Sequence, residues 1–305
     1  MRILLFILTI IMIFFSLQRI YQPQLTYNSF SQRVQHPFDT RVRYRIGQID
    51  PRFNISEQTL TTLTQQAADI WQTGTGEQHF QYDPNAQLSI NLIFDQRQAT
   101  FNAQQNQLNH LQQSKTQNDI YKQKIAELEQ QLSQSAQHIT LAKQNYQSQL
   151  DHHNQQVARY NQSSPQQRQD KQDLLQQQQY LNQQQQALQQ QIDHFNLQVA
   201  QMNQQVDQFN QLNHQFNAAV DQFQTRFKPY QFDKGVFNGR EINIYEFQNH
   251  DDLRLTLAHE LGHALGLQHN QDPTALMYPI LEQQNFQNFH LTTADLNLLK
   301  QSRRK

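Results

Sequence analysis

The sequence predicts an α+β fold, interrupted by a long antiparallel α-helical hairpin and preceded by an apolar N-terminal helix. Three observations lead there. The 7 Gly and 8 Pro avoid the middle of the chain: residues 77–234 contain no Gly, and Pro165 is the only Pro between Pro84 and Pro229. Within residues 101–226 lie 41 of the 64 Gln, among apolar residues that recur at steps of three and four, which is helical spacing. On either side of that region, short stretches alternate apolar and polar residues or carry helix caps, the mixture expected of strands and helices in one domain.

Composition removes several classes of function. With 24 Lys+Arg against 25 Asp+Glu, the chain lacks the cationic excess that phosphate binding requires, so no nucleic-acid partner is expected. The absence of Cys excludes a disulfide scaffold, a thiol nucleophile and a thiolate metal site.

At the N-terminus, residues 3–17 are apolar except for Thr9 and Ser16, and they follow Arg2. This is the layout of an export signal. Fifteen helical residues reach roughly 22 Å, short of the ~30 Å hydrocarbon core of a bilayer. Extension through Ile20 and Tyr21, with Arg19 snorkelling, approaches a full span. Residues 17–30 contain no Ala or Gly, so no small-residue cleavage site follows. The reading is a signal-anchor or transmembrane segment over residues 1–21, then a linker over 22–37. The remainder would lie in the periplasm or extracellular space, held at the membrane, or secreted if the segment is cleaved.

The Gln-rich middle carries a seam. Leu188, Ile192, Phe195, Val199, Met202, Val206 and Phe209 follow alternating steps of four and three, and Phe216, Val220 and Phe223 continue them, with Asn213 filling the gap. Upstream, Tyr121, Ile125, Leu128, Leu132, Ile139, Ala142 and Tyr146 repeat the spacing. An average repeat of 3.5 residues predicts a left-handed coiled coil, and Gln is a good helix former for its outer face. Ser163, Ser164 and Pro165 supply the turn, with Ser164 as N-cap and Pro165 in the first turn of the second helix. The two arms, 101–162 and 166–226, would each reach roughly 90 Å. An antiparallel coiled-coil hairpin over 101–226 returns the chain to its starting point. It would serve as a docking or spacer arm, meeting a protein partner or a second copy. Asn213 is read as a register-fixing seam residue, and the six His of this region as solvated.

The chemistry-bearing residues lie near the C-terminus, where residues 256–279 read TLAHELGHALGLQHNQDPTALMYP. His259 and His263, four apart on a helix, project from one face and can share a metal ion. Glu260 lies beside the first of them, placed to reach a metal-bound water rather than the metal. Gly266 permits the left-handed turn that ends the helix and brings His269 round as third ligand. Three neutral imidazoles leave a fourth tetrahedral position open, the arrangement of a catalytic zinc.

The run from His259 to His269, followed by Met277 in a turn, resembles the metzincin zinc peptidases, and residues 264–279 are similar to the matrixins, the matrix-metalloprotease group. That resemblance implies a twisted, mostly parallel sheet with helices. It implies one catalytic Zn²⁺ on His259, His263 and His269, with Glu260 as general base and Met277 beneath the ligands. A pocket wall would be drawn from Tyr278, Pro279, Ile280 and Leu281. The implied activity is that of a zinc metalloendopeptidase acting on a peptide or protein substrate. The likeness extends to a strand over 41–46, a helix capped by Ser56, strands at His79–Phe80 and over 88–94, a strand over 242–247, and a helix start at 291–296. The catalytic domain thus falls into two parts, 38–100 and 227–305.

This chain departs from the family pattern in three respects. No His/Asp/Gly run stands where matrixins hold structural Zn²⁺ or Ca²⁺. No Cys exists for an inhibitory propeptide. Ala294 occupies the first position of the paired Asp in the last helix, leaving Asp295, which is expected either to support the turn at Met277 or to act as a plain helix-start carboxylate. The rival reading is a membrane-anchored coiled-coil scaffold or adaptor with a weak or inactive metzincin domain. A third, cell-wall amide hydrolysis, follows because zinc and a carboxylate do not by themselves choose the amide.

Overall fold

A computed structural model describes residues 2–164, 171–228 and 232–303, without the side chains of residues 2–8, 10, 11 and 19. The chain divides into two compact units, Met1–Ala103 with Pro229–Lys305, and Gln104–Lys228.

The first unit is built on a five-stranded sheet of β1 (Val42–Ile49), β2 (Phe80–Tyr82), β3 (Leu88–Leu92), β4 (Gly235–Phe237) and β5 (Glu241–Ile244), in the order β2-β1-β3-β5-β4. All pairings are parallel except that of β4 with β5. The mostly parallel sheet agrees with the expectation. Parallel neighbours need crossover connections. Helix α3 (Glu57–Thr75) supplies one between β1 and β2, and the Gln-rich helices lie within the one between β3 and β5.

Helix α3 starts where Ser56 Oγ accepts the N–H of Thr59 at 3.1 Å, and it stops at Gly76, whose φ of +75° suits a residue without Cβ. Its apolar face, Leu60, Leu63, Ala67 and Trp71, is buried, and α3 packs on α6 (His250–Ala264). Burial of each large aliphatic side chain contributes about 1.5–3 kcal/mol. Trp71 also donates its Nε1–H to the Ala258 carbonyl at 2.8 Å, which fixes the two helices in register. In β3, Leu88, Ile90 and Leu92 are buried as the alternation predicts, but Ser89 and Asn91 between them are buried too. Asn91 bonds Asn243 Oδ1 (2.8 Å) and accepts the N–H of Gln48 (2.8 Å) where β1 bulges, so the polar face is satisfied inside the protein.

The N-terminal region departs from its reading. Helix α1 (Arg2–Tyr21) exists, yet among the described residues no helix is long and apolar enough to cross a membrane. Residues 22–37 do not behave as a linker. A 3₁₀ turn over Pro23–Tyr27 and helix α2 (Phe30–Gln35) pack on the first unit, with Leu25 1% exposed. Asn28 clasps the start of β1, donating to the Arg41 carbonyl (2.8 Å) and accepting the Arg43 N–H (2.7 Å). Gln32 closes a capping box with Ser29 and donates to Asp83 at 2.9 Å. Polar tertiary bonds of this kind leave no periodic trace in sequence.

The second unit contains most of helices α4 (Gln96–Gln162) and α5 (Lys171–Arg226). The expected turn residue Pro165 lies outside the described residues. Exposure follows the seven-residue repeat: Leu132 and Leu181 are buried, and Tyr121, Ile125, Leu128, Phe195, Val199 and Phe209 are half-buried between exposed Gln. Two sequence readings need correction. Asn213 is exposed, and the seam is instead continued by half-buried Leu212, while Asn118 is the buried Asn. His153 is not solvated; it is 3% exposed, with its ring nitrogens 3.0 Å from the side-chain oxygens of Gln177 and Gln178. Helix α4 also begins five residues before the expected arm, rooted in the first unit by Gln98, which accepts the Phe247 N–H (2.9 Å) and donates to its carbonyl (3.3 Å).

Candidate metal centre

Helix α6 carries the first two histidines. It begins at Asn249, whose side chain accepts the Asp252 N–H at 3.0 Å, a cap the sequence reading did not identify. It ends in a Gly turn: Gly266 has φ +83°, and its N–H and that of Leu267 return to the carbonyls of His263 (2.9 Å) and Gly262 (3.1 Å). Gly262 is required for a different reason. A Cβ there would sit 2.7 Å from Trp71 Cζ2 and overlap Met277 Sδ.

The turn places His269 beside the other two histidines. His259 Nε2 lies 3.3 Å from His269 Nε2 and 3.2 Å from His263 Nε2, and one ligand nitrogen from each ring falls within 4.8 Å of the others. Two of the tautomers follow from the opposite side of the ring. His259 Nδ1 donates to the Leu276 carbonyl at 2.7 Å and His263 Nδ1 to the Leu267 carbonyl at 2.8 Å, which leaves each Nε2 with a lone pair. Burial, reinforced by the neighbouring imidazoles, pushes the His259 pKa down to about 3, and burial likewise lowers that of His263. Neutral imidazoles with converging lone pairs repel unless a cation lies between them. Zn–N bonds of about 2.0–2.1 Å in a tetrahedron put ligand nitrogens roughly 3.3 Å apart, so the spacing fits zinc.

Glu260 is 4% exposed beside this triad. Burial raises its pKa to about 8, opposed by a hydrogen bond from the Phe237 backbone. Its Oε2 is buried and has no hydrogen-bond partner among the described residues. That orphaned oxygen points to a hydrogen-bond partner such as a water beside a metal, and a cation on the triad would favour the carboxylate form that accepts from it. Strand β4, a three-residue element absent from the sequence reading, makes this placement possible. A Cβ on Gly235 would come 2.9 Å from both Cγ and Oε1 of Glu260.

Met277 is fully buried, and its turn is tied down from three directions. The Asn270 N–H reaches the Met277 carbonyl at 2.9 Å, Gln284 donates to the carbonyls of Pro273 (3.0 Å) and Ala275 (2.9 Å), and Asp295 accepts the N–H groups of Leu276 and Met277 (3.0 Å each). Asp295 therefore supports the turn while also capping helix α7 (Thr293–Ser302) together with Thr292.

A cleft of about 500 Å³ opens onto the triad. It is lined by His259, Glu260, His263 and His269, by Lys234, Gly235, Val236 and Phe237, and by Pro279, Ile280 and Leu281. Of the four residues proposed for the pocket wall, Tyr278 alone is not among the lining. Tyr245 packs instead against Arg97, whose guanidinium lies over its ring at 3.3 Å. Among the lining residues that the sequence reading did not assign to the site, two stand apart from both β4 and the metal motif. Glu246 is buried, and Tyr27 comes from the segment read as a linker.

Comparison with known proteins gives the same direction. The family model described as Matrixin, peptidase family M10, matches residues 35–302. Matrix metalloproteinase-16 of Homo sapiens is 54% identical over 50 residues, which is 16% of this chain and 8% of that protein. Matrix metalloproteinase-20 of Homo sapiens is 51% identical over 45 residues, covering 15% of this chain and 9% of the relative. Macrophage metalloelastase of Oryctolagus cuniculus is 47% identical over 45 residues, 15% and 10% of the two chains. The matched stretch is thus at most a tenth of the length of these relatives.

Proposed function

Because this chain belongs to the matrixin family, we propose that it is a zinc metalloendopeptidase whose own Glu260 moves the protons of peptide hydrolysis. The observation that carries the reading is the convergence of three imidazole Nε2 atoms, two of them with their lone pairs fixed inward, beside a buried carboxylate oxygen with no partner among the described residues. His259, His263 and His269 would hold the metal. When bound, zinc supplies Lewis acidity, which makes a water nucleophilic near neutral pH and polarises the substrate carbonyl. Glu260 takes the proton from the attacking water at Oε2 and releases it to the leaving amine. Strand β4 ends the sheet and lines the cleft, so an extended peptide can pair with its outer edge and lie across Glu260.

The anchor and the hairpin belong to the same proposal. The apolar run at residues 3–17, with Met12, Ile13 and Leu17 exposed in α1, would hold the catalytic unit at a membrane on its periplasmic or extracellular side. The long α4–α5 pair would serve as a coiled-coil docking or spacer arm.

The test is Glu260→Gln, which keeps the shape of the side chain but cannot take up a proton. Zinc content should remain near one ion per chain while hydrolysis falls by about 10²–10⁴-fold. Cleavage of a casein-like substrate at the wild-type rate by this variant would refute the mechanism.

A further inference from the structure

The cleft has a wall that comes from outside the metal motif. Tyr27, at the end of the Pro23–Tyr27 turn, lines the cleft alongside Phe237, Ile280 and Leu281. Its ring meets that of Phe237 edge to face, 5.0 Å between centroids at 88°. Such a contact is worth about 0.5–1.5 kcal/mol beyond area burial and fixes the angle between the rings. Phe237 in turn presents its backbone N–H to the Glu260 carboxylate. One aromatic contact therefore joins the N-terminal segment to the strand that holds the base.

The segment is seated firmly enough to act as a wall. Leu25 is buried two residues before Tyr27, and Asn28 immediately after it makes its two short hydrogen bonds to the start of β1. Ser29 and Gln32 then cap α2 and tie it to Asp83. Tyr27 is thus held from both sides in sequence, unlike a loop tip free to swing away.

We propose that Tyr27 is a specificity-determining residue of this cleft, limiting the size of the substrate side chain that enters beside the scissile bond. This rests on the hydrolytic reading above for its enzymatic readout, but not for its binding readout. A smaller residue at position 27 enlarges the cavity and admits bulkier side chains; a larger one narrows it. A change of one methylene in an apolar pocket shifts selectivity by about 10-fold or more, so truncating a phenol ring should be readily seen.

The experiment uses the full-length, zinc-loaded chain on a peptide library that varies the residues flanking the scissile bond. Tyr27→Ala should raise kcat/KM for the largest side chains relative to Leu by about tenfold or more. Tyr27→Trp should shift preference the opposite way, and Tyr27→Phe should retain the wild-type ranking. The same panel is titrated by fluorescence anisotropy against Glu260→Gln with and without each substitution. This binding measurement stands even if the wild type hydrolyses nothing, an outcome that would sink the hydrolytic reading alone. Zinc content and circular dichroism identify any variant that fails to fold; if Tyr27→Ala does so, the opposite shift in Tyr27→Trp decides. Folded variants with unchanged rankings in both measurements overturn the inference.

Discussion

The Asp295 carboxylate accepts the Met277 N–H through Oδ1 and the Leu276 N–H through Oδ2, at 3.0 Å each, across 18 and 19 residues of chain. The same Oδ2 accepts the Thr292 N–H (3.0 Å) and hydroxyl (2.9 Å). One fully buried carboxylate thereby fixes both the floor beneath the histidines and the start of α7. The Leu276 carbonyl, in the same turn, orients His259. Displacement of the turn would therefore be felt at the metal ligands.

Replacing Asp295 with Ala leaves the N–H groups of Leu276 and Met277 unsatisfied in the interior and strips the half-buried Thr292 of its helix-start partner. Each orphaned donor costs about 1–3 kcal/mol, so a loss of roughly 3 kcal/mol or more is expected in denaturant unfolding. Metal affinity should fall by about 10–100-fold, because the Leu276 carbonyl that orients His259 shifts with the freed turn. A variant with wild-type stability and zinc affinity would show that the turn is held by its other bonds.

Gly235→Ala tests how strictly β4 positions the base. The new Cβ would be 2.9 Å from Glu260 Cγ and Oε1 and from Ile244 Cδ1, so either the carboxylate or the strand must move. A displacement approaching 1 Å at a catalytic group costs about 10²-fold, so kcat should fall by tenfold or more. The three histidines are untouched, so zinc content should stay at one ion per chain. Loss of zinc together with activity would mean that the strand supports the metal site rather than the base alone.

His79 gives the first unit an acid-sensitive point remote from the metal in sequence. Its Nε2 lies 2.9 Å from Thr75 Oγ1, and its Nδ1 lies 3.3 Å from Arg303 Nη2. Arginine can only donate, so Nδ1 must carry a lone pair and the folded state prefers the neutral ring. Burial, aided by Arg303 and opposed by Glu77, lowers the pKa below 6.5. The unfolded chain therefore takes up the proton first as pH falls. The stability associated with this ring is complete above about 6.5 and declines as pH drops toward and through the lowered value. His79→Gln should flatten the loss of stability between pH 7 and pH 5, measured by urea unfolding at each pH. An unchanged slope would assign the acid sensitivity elsewhere.

How much of this was legible in the chain depended on the range of the interactions involved. The zinc motif was readable because helical spacing puts His259 and His263 on one face and Gly266 announces the turn that returns His269. Strand β3 was readable because Leu88, Ile90 and Leu92 alternate, whereas its parallel pairing followed only from the family resemblance. Tyr27 and Glu246 were hidden because only tertiary folding brings them to the cleft, and β4 because three residues carry no period. The linker reading failed on Asn28 and Gln32, whose partners lie 13 to 53 residues away. Tyr278 was misassigned because adjacency to Met277 in sequence does not ensure that a residue faces the cleft.

The last expectation concerns the α4–α5 pair, where a largely apolar seam buries His153 as well as Asn118. Its ring nitrogens face two amide oxygens, those of Gln177 and Gln178, at 3.0 Å each. A buried polar residue in a coiled-coil seam commonly fixes register at some expense in stability. His153→Leu should raise the unfolding free energy of the helical pair by about 1 kcal/mol, since Gln177 and Gln178 lie near enough to solvent to find water. The cost should appear as lost uniqueness of pairing. A His153→Leu variant carrying spin labels at exposed positions 141 and 197 should show a broader distance distribution by electron resonance than the wild type. A destabilised variant with an unchanged, narrow distribution would instead make His153 a contributor to stability, with register set by Asn118 and the apolar seam.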